Sequence, residues 1–350
     1  LGGLVGSEMC IRDRFCDTLR DSGVTIIHAP SSCMNAYAEH PARRRAQTTP
    51  TANSMPDQID SWCDQIPREE SAAYPLDQSD GGEDDDLDDH RQWASRLEAI
   101  GLNPRAPWQR QVDAIGIDEK SDFISDSGTE IWSILAARQI KNVILVGVHT
   151  NMCVLGRPFG LRRLASAGKN VVLARDLTDT MYNPGAWPYA SHFTGTDLII
   201  EHIERLVCPT ISSDQILGDK AFRFANDQRK RLLMLVAEDE YQTEKTLPAF
   251  AARHLTKHFS VQSAWGSESE RHEIIGIGQL TDADALLVSV RRRALPANDL
   301  ALIQAFVRQG KPVIGIRTAS HAFSLRGKEP PAGTAAVSYT HLRAHETSSM

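Results

Sequence analysis

Six short runs of consecutive apolar residues, separated by stretches with helical spacing, constrain this chain more than anything else in it. They are VTIIH (24–28), VILVG (143–147), VVLA (171–174), LLMLVA (232–237), ALLVSV (285–290) and PVIGI (312–316). A run that does not alternate with polar residues is what a strand covered on both faces looks like, and such strands belong to parallel sheets. Parallel neighbours need a crossover, usually a helix. The intervening segments supply it. EIWSILAARQ places Ile131, Ile134 and Leu135 at helical spacing, FGLRRLASAG ends on Gly168, and ALPANDLALIQAFVRQG opens near Pro296 and closes at Gly310. The predicted fold class is therefore α/β, with doubly wound parallel sheets of the Rossmann-like three-layer kind. In such sheets ligands bind beyond the carboxyl ends of the strands.

At 350 residues the chain exceeds what one hydrophobic core usually organises. The polar connector SDQILGDKAFRFANDQRK divides the alternation, which predicts a first domain over 15–215, a linker over 216–228 and a second domain over 229–334. The opening LGGLVGSEMCIRDR and the closing AVSYTHLRAHETSSM match neither flank in composition or periodicity and resemble translated sequencing-adaptor read-through. Residues 1–14 and 335–350 are accordingly set outside the fold, and both domains are expected to be truncated. A stretch rich in proline, polar and acidic residues, from about Gln47 to Pro107, reads as a long excursion over the surface. Within it SDGGEDDDLDDH (79–90) lacks the alternating ligand spacing of a calcium loop and reads as a solvated acidic run.

Composition excludes several function classes. The net charge is −7 with lysines and arginines scattered, which leaves no basic footprint for nucleic acid. No apolar run approaches the roughly 20 residues that span a bilayer. Six cysteines without paired short spacings fit neither a disulfide framework nor a zinc site, and point to a reducing, cytoplasmic setting. The expected partners are a small-molecule substrate and further copies of the chain, with no nucleic acid, no membrane and no cofactor.

Cys153 follows the strand at Val143–Val146 by a few residues, where CVLGRPFGLRRLA would begin a helix. A thiol in a first helical turn is acidified by the dipole and by nearby backbone N–H groups, which also suit an oxyanion. An inert core cysteine is the equal alternative, because free cysteine is among the most buried residue types.

The segment GVHTNMCV resembles the nucleophile motif of isochorismatase-like cysteine hydrolases, the superfamily that includes nicotinamidases, and the resemblance extends over about Phe15–Gln215. It implies that Cys153 is the nucleophile and that the Val148–His149 peptide bond is cis, with the N–H groups of His149 and Cys153 aimed at a substrate oxygen. Thr150, Asn151, Tyr182 and Trp187 are then expected to line the substrate. The resemblance also implies a triad of Cys, Lys and Asp, in which Lys120 of EKSDFISDSGTEIW takes the lysine's place. No hydrophobic strand ending in Asp precedes the first helix, and Asp13 follows no strand, so the third member is unassigned and this fragment is expected to be inactive. The presence of Cys153 implies the amidase-like branch: hydrolysis of an amide or ureide C–N bond through a thioester. His28 and His40 lack the Asp of the metal-binding pattern, so no metal is expected. His192, near a helix start, reads as a capping or interface residue.

LLMLVAEDEYQTEKTLPAFA and the segment from Ala283 to Phe323 look like a trehalose-utilisation (ThuA-like) domain, a relative of class I glutamine amidotransferases. Where those place a nucleophilic Cys, this chain has Thr318, Ala319 and Ser320, so glutaminase chemistry is not expected. Ser320 and His321 read as turn residues. Arg291–Arg293 read as a solvated strand end, with an anion-docking site as the alternative. For the protein as a whole, a catalytically degenerate small-metabolite binding protein is the competing reading.

Overall fold

Gly23, with φ of +82°, takes up a backbone conformation that side chains resist, and it ends the first helix, α1 (Val5–Asp21). In the computed structural model the described residues are 5–30, 32–79, 87–218 and 221–337. They divide into two compact units, Leu1–Asp227 and Gln228–Met350.

In the first unit α1 runs through residue 14 without a break. It buries Phe15 against Ala174 and Leu177, and the Arg12 Nε donates to the Leu177 carbonyl at 3.0 Å. Next come β1 (Ile27–His28), α2 (Pro41–Gln47), α3 (Leu87–Ala99), β2 (Phe123–Ile124) and α4 (Gly128–Ala137). Ser127 caps α4 by accepting from the Glu130 N–H, which satisfies an otherwise orphaned donor. β3 (Asn142–Val148), α5 (Leu161–Ser166), β4 (Asn170–Asp179), α6 (His192–Leu206), β5 (Thr210–Ile211) and α7 (Asp214–Leu217) complete the unit.

The strands pair in parallel, as β1–β2 and as β3–β4–β5. One continuous sheet is the sequence expectation; among the described residues there are two. Among the described residues β3 bonds to β4 alone, and Val143 to Val146 are half-buried, although their unbroken apolar run predicts cover on both faces.

The stretch from Gln47 to Pro107 is more than a surface excursion. Ile59, Cys63, Ile66 and Leu76 are each at most 7% exposed. Asp60 accepts from the Thr129 N–H at 2.8 Å at the start of α4. The Glu69 carboxylate takes both prongs of the Arg162 guanidinium (2.8 and 2.7 Å) and a 2.8 Å bond with His202 Nε2, all three side chains being buried. Sequence composition conceals this because four apolar residues, one aspartate and one glutamate, dispersed among polar neighbours, do the docking. Of the acidic run 79–90, residues 80–86 lie outside the described residues.

The second unit comprises β6 (Lys230–Ala237), α8 (Thr243–His254), β7 (Phe259–Gly266), β8 (Ile274–Ile275), β9 (Ala285–Val290), β10 (Leu295–Pro296), α9 (Ala297–Arg308), β11 (Val313–Gly315) and β12 (Thr334–Ala335). Its main sheet has the order β11-β9-β6-β7-β8, parallel except for β8, and β10 pairs antiparallel with β12. Leu233, Leu235, Leu286 and Val288 face Ile303 and Phe306 of α9 on one side of the sheet, while Leu232, Met234 and Leu287 meet Leu247 and Ala251 of α8 on the other. The protein is thus mixed α/β with parallel sheets. Among the described residues no helix is long and apolar enough to cross a membrane.

Candidate active site at the ends of β3 and β4

β3 and β4 run in register from Asn142↔Asn170 to Leu145↔Leu173, and then the register shifts. Pairing resumes at Gly147↔Thr178 and Val148↔Asp179, so β4 carries three more residues than β3 across the gap. A bulge of this kind re-aims side chains at a strand end. The extra segment is anchored: Arg175 pairs with Glu204 at 3.0 Å, and Asp176 accepts from the Ser213 and Phe222 N–H groups at 2.8 Å each. The shift delivers Thr178 and Asp179 beside Gly147 and Val148. Gly147 has φ of +144°, a value that favours glycine, and the Val148–His149 peptide bond is cis.

The chain then makes a single π-helical turn, Thr150–Val154, in which the Val154 N–H reaches back to the His149 carbonyl at 3.1 Å. Such turns cluster at functional sites. The Thr150 hydroxyl meets the Thr178 hydroxyl at 2.6 Å and donates to the Asp179 carbonyl at 2.8 Å. The Asn151 amide forms a two-way clasp with Met181, donating to its carbonyl at 2.7 Å and accepting from its N–H at 2.9 Å. Both side chains are buried and spent on fixing the turn to the segment after β4.

Cys153 sits within this turn and is partly exposed. The sequence places it in the first turn of a helix continuing to Ala165. The structure instead breaks the chain between Gly156 and Gly160, and α5 starts only at Leu161. Pro158, which has no N–H to donate and disfavours a helical conformation at Arg157, lies within the break, and Gly156 is crowded from outside the segment. A Cβ on Gly156 would come within 2.4 Å of the Trp62 indole, whose neighbour Cys63 donates its N–H to the Gly156 carbonyl at 2.8 Å. Gly156→Ala is expected to cost about 1–3 kcal/mol through overpacking, read as a lowered urea midpoint.

Opposite the turn, His192 opens α6 with its Nε2 2.8 Å from Asp179 Oδ1, and α6 packs against the π turn. Burial alone would raise the Asp179 carboxyl. The His192 hydrogen bond and charge, the Thr180 N–H and the Thr196 hydroxyl outweigh it and hold Asp179 below the usual carboxylate range. Sequence reading treats His192 as a cap and gives Asp179 no role. The available signal is an Asp at the carboxyl end of a parallel strand, but the register shift that aims it cannot be read from spacing.

The other predicted residues are placed as follows. Val148 is 41% exposed and His149 is half-buried. Tyr182 is fully buried: its hydroxyl donates to the Ala186 carbonyl at 2.8 Å and accepts from the Ala190 N–H at 3.2 Å. Trp187 is 50% exposed, with its carbonyl held by the Asp77 N–H at 2.9 Å. Lys120 is exposed in the turn before β2, where its backbone N–H donates to Asp118 at 3.3 Å. His28 is buried between Asp122 (3.0 Å) and Gln111 (3.1 Å), and His40 caps α2 by accepting from the Ala42 N–H at 3.2 Å. Among the described residues no group of three or more His, Cys, Asp or Glu side chains could hold a metal ion.

A partly exposed thiol in the turn after β3 and a carboxylate–imidazole pair joining the end of β4 to the start of α6 make this end of the sheet the candidate site of an α/β protein. Residues 76–190 match the family model of the Isochorismatase domain, a span that includes Cys153 and Asp179 and supports a hydrolase of that superfamily. No curated protein and no solved structure matches the chain.

Proposed function

We propose that the first unit is a cysteine hydrolase that cleaves the C–N bond of a small amide or ureide through a thioester at Cys153. The observation that carries this reading is the partly exposed Cys153 in a π turn fixed at both flanks, with Asp179–His192 at the neighbouring strand end. In this mechanism His192, oriented by Asp179, takes the thiol proton, and the thiolate attacks the carbonyl carbon. The C–N bond then breaks as the proton passes to the departing nitrogen, and water hydrolyses the thioester. Lys120 makes no side-chain hydrogen bond among the described residues, and no step is routed through it. For the second unit we propose the doubly wound, ThuA-like architecture named from its sequence; the order β7-β6-β9-β11 supports it.

The test is timed alkylation with peptide mapping, followed by a panel of amides and ureides. Burial pushes Cys208 up to about 12 and leaves Cys33 and Cys63 shielded. Cys153 is expected to react with iodoacetamide at least about tenfold faster than these three, and its alkylation to abolish turnover. A Cys153 as slow as Cys208 would instead favour the competing reading, a small-metabolite binding protein that has lost catalysis.

A further inference from the structure

Three loops meet at the carboxyl edge of the second unit's sheet: Glu238–Glu240 after β6, Arg291–Arg293 after β9 and the turn Arg317–His321 after β11. β6 and β9 are adjacent, and the chain leaves β6 toward β7 on one side and returns to β9 on the other. That reversal is the switch point where open parallel sheets bind ligands. Arg293 is consumed by the fold: it is buried, and its Nε donates to the Ala237 carbonyl at 3.0 Å. Its two neighbours are not. Arg292 has φ of +50° and donates its N–H to the His321 carbonyl at 3.3 Å, which draws the two loops together. Arg291 pairs with Glu240. Yet the Nε atoms of both Arg291 and Arg292 are buried and bond to nothing among the described residues.

Arg326, also at positive φ (+55°), adds a third guanidinium. The His321 imidazole is held below its ordinary range first by burial and then by Arg292, Arg291 and Arg326, with Glu240 opposing; its Nδ1 lies 3.2 Å from the Ser320 hydroxyl. Arg292 is likewise depressed by burial and by Arg326 and Arg291. Arg291 and Arg292, adjacent in the chain, thus share this edge with His321; of the acidic loop, Asp239 is taken up by Arg271 and Arg293 and Glu238 by the Glu240 and Tyr241 N–H groups, which leaves Glu240 as the carboxylate paired with Arg291. Like charges held together oppose folding unless an anion offsets them, and guanidinium groups suit phosphate because their donors form a rigid fork.

We propose that this edge, where the unsatisfied Arg291 and Arg292 Nε groups lie beside the His321 turn with Arg326 on the following loop, binds the phosphate group of a small metabolite. The site lies wholly within the second unit and is independent of the chemistry assigned to Cys153. The experiment uses the full chain, with inorganic phosphate, pyrophosphate and citrate as probes in calorimetry and thermal melting. Saturable binding of phosphate or pyrophosphate with a raised melting temperature is expected, weakened at least about tenfold by Arg292→Gln. Without phosphate, Arg292→Gln is expected to melt at or above the wild-type temperature, because it relieves like-charge repulsion. Arg326→Gln, on an exposed loop, provides the same binding test without risk to the core. Retention of the full phosphate effect in both variants, absence of saturable binding, or binding of citrate alone would each overturn the proposal.

Discussion

Cys153→Ala is expected to lower turnover on any C–N substrate of this protein by on the order of 10⁴-fold or more, to the solution background. In the proposed mechanism the substitution removes the covalent path altogether, so no neighbour can compensate in proportion. The fold should survive, because Cys153 is partly exposed and its turn is held by other side chains: Thr150 on Thr178 and Asp179, and Asn151 on Met181. An unchanged circular dichroism spectrum and urea midpoint, with turnover lost, would locate the defect in chemistry. Cys153→Ser should be nearly as inactive, since a hydroxyl at this position lacks the thiol's ready ionisation. Residual turnover within tenfold of wild type in either variant would remove Cys153 from the reaction.

What the sequence conveys about this protein is sorted by distance along the chain. The apolar runs at 143–146, 171–174, 232–237 and 285–290 all lie in strands; burial writes itself into consecutive residues most clearly at 232–237 and 285–290, whose residues are all buried. β7, FSVQSAWG, escapes notice: Ser260, Gln262 and Ser263 interrupt it, and all but one of its residues are only half-buried. The run VTIIH predicts five strand residues and yields two, Ile27 and His28, which pair with β2. Around the thiol, local signals locate Cys153 at a strand end; Pro158 is a local signal for the helix break that follows, whereas the close approach of Trp62 to Gly156 is not legible in the sequence. Asp179 is invisible for a similar reason. Its placement depends on three extra residues in β4 that look like ordinary strand.

The largest effect on stability is expected from Glu69→Ala. Glu69, Arg162 and His202 are each at most 7% exposed, and the carboxylate is the shared acceptor of the other two. Truncating it leaves the Arg162 guanidinium buried without its counter-charge, which typically costs about 3–5 kcal/mol, whereas apolar replacement of the whole ion pair can be neutral. Glu69→Ala should therefore be far more damaging than the double variant Glu69→Leu with Arg162→Met. The pH dependence follows from the same contacts. Burial would raise the Glu69 carboxyl, but hydrogen bonds from His202 and Arg162, the Arg162 charge and the Ile66 N–H bring it down to about 2 from 4.5. A carboxyl depressed on folding stabilises the protein above its unfolded value, and that stability is lost as pH falls from about 4.5 towards 2. Urea midpoints at pH 3, 5 and 7 should fall more steeply on the acid side for wild type than for Glu69→Gln, which has no carboxyl to protonate. A local readout separates this role from general destabilisation. Arg162 also donates to the Cys63 carbonyl at 3.3 Å, so loss of Glu69 should loosen 59–77 first and make Cys63 alkylate before Cys208, which is buried at the far end of α6. Equal protection of Cys63 in wild type and Glu69→Ala would show that the stretch is held by its apolar residues alone.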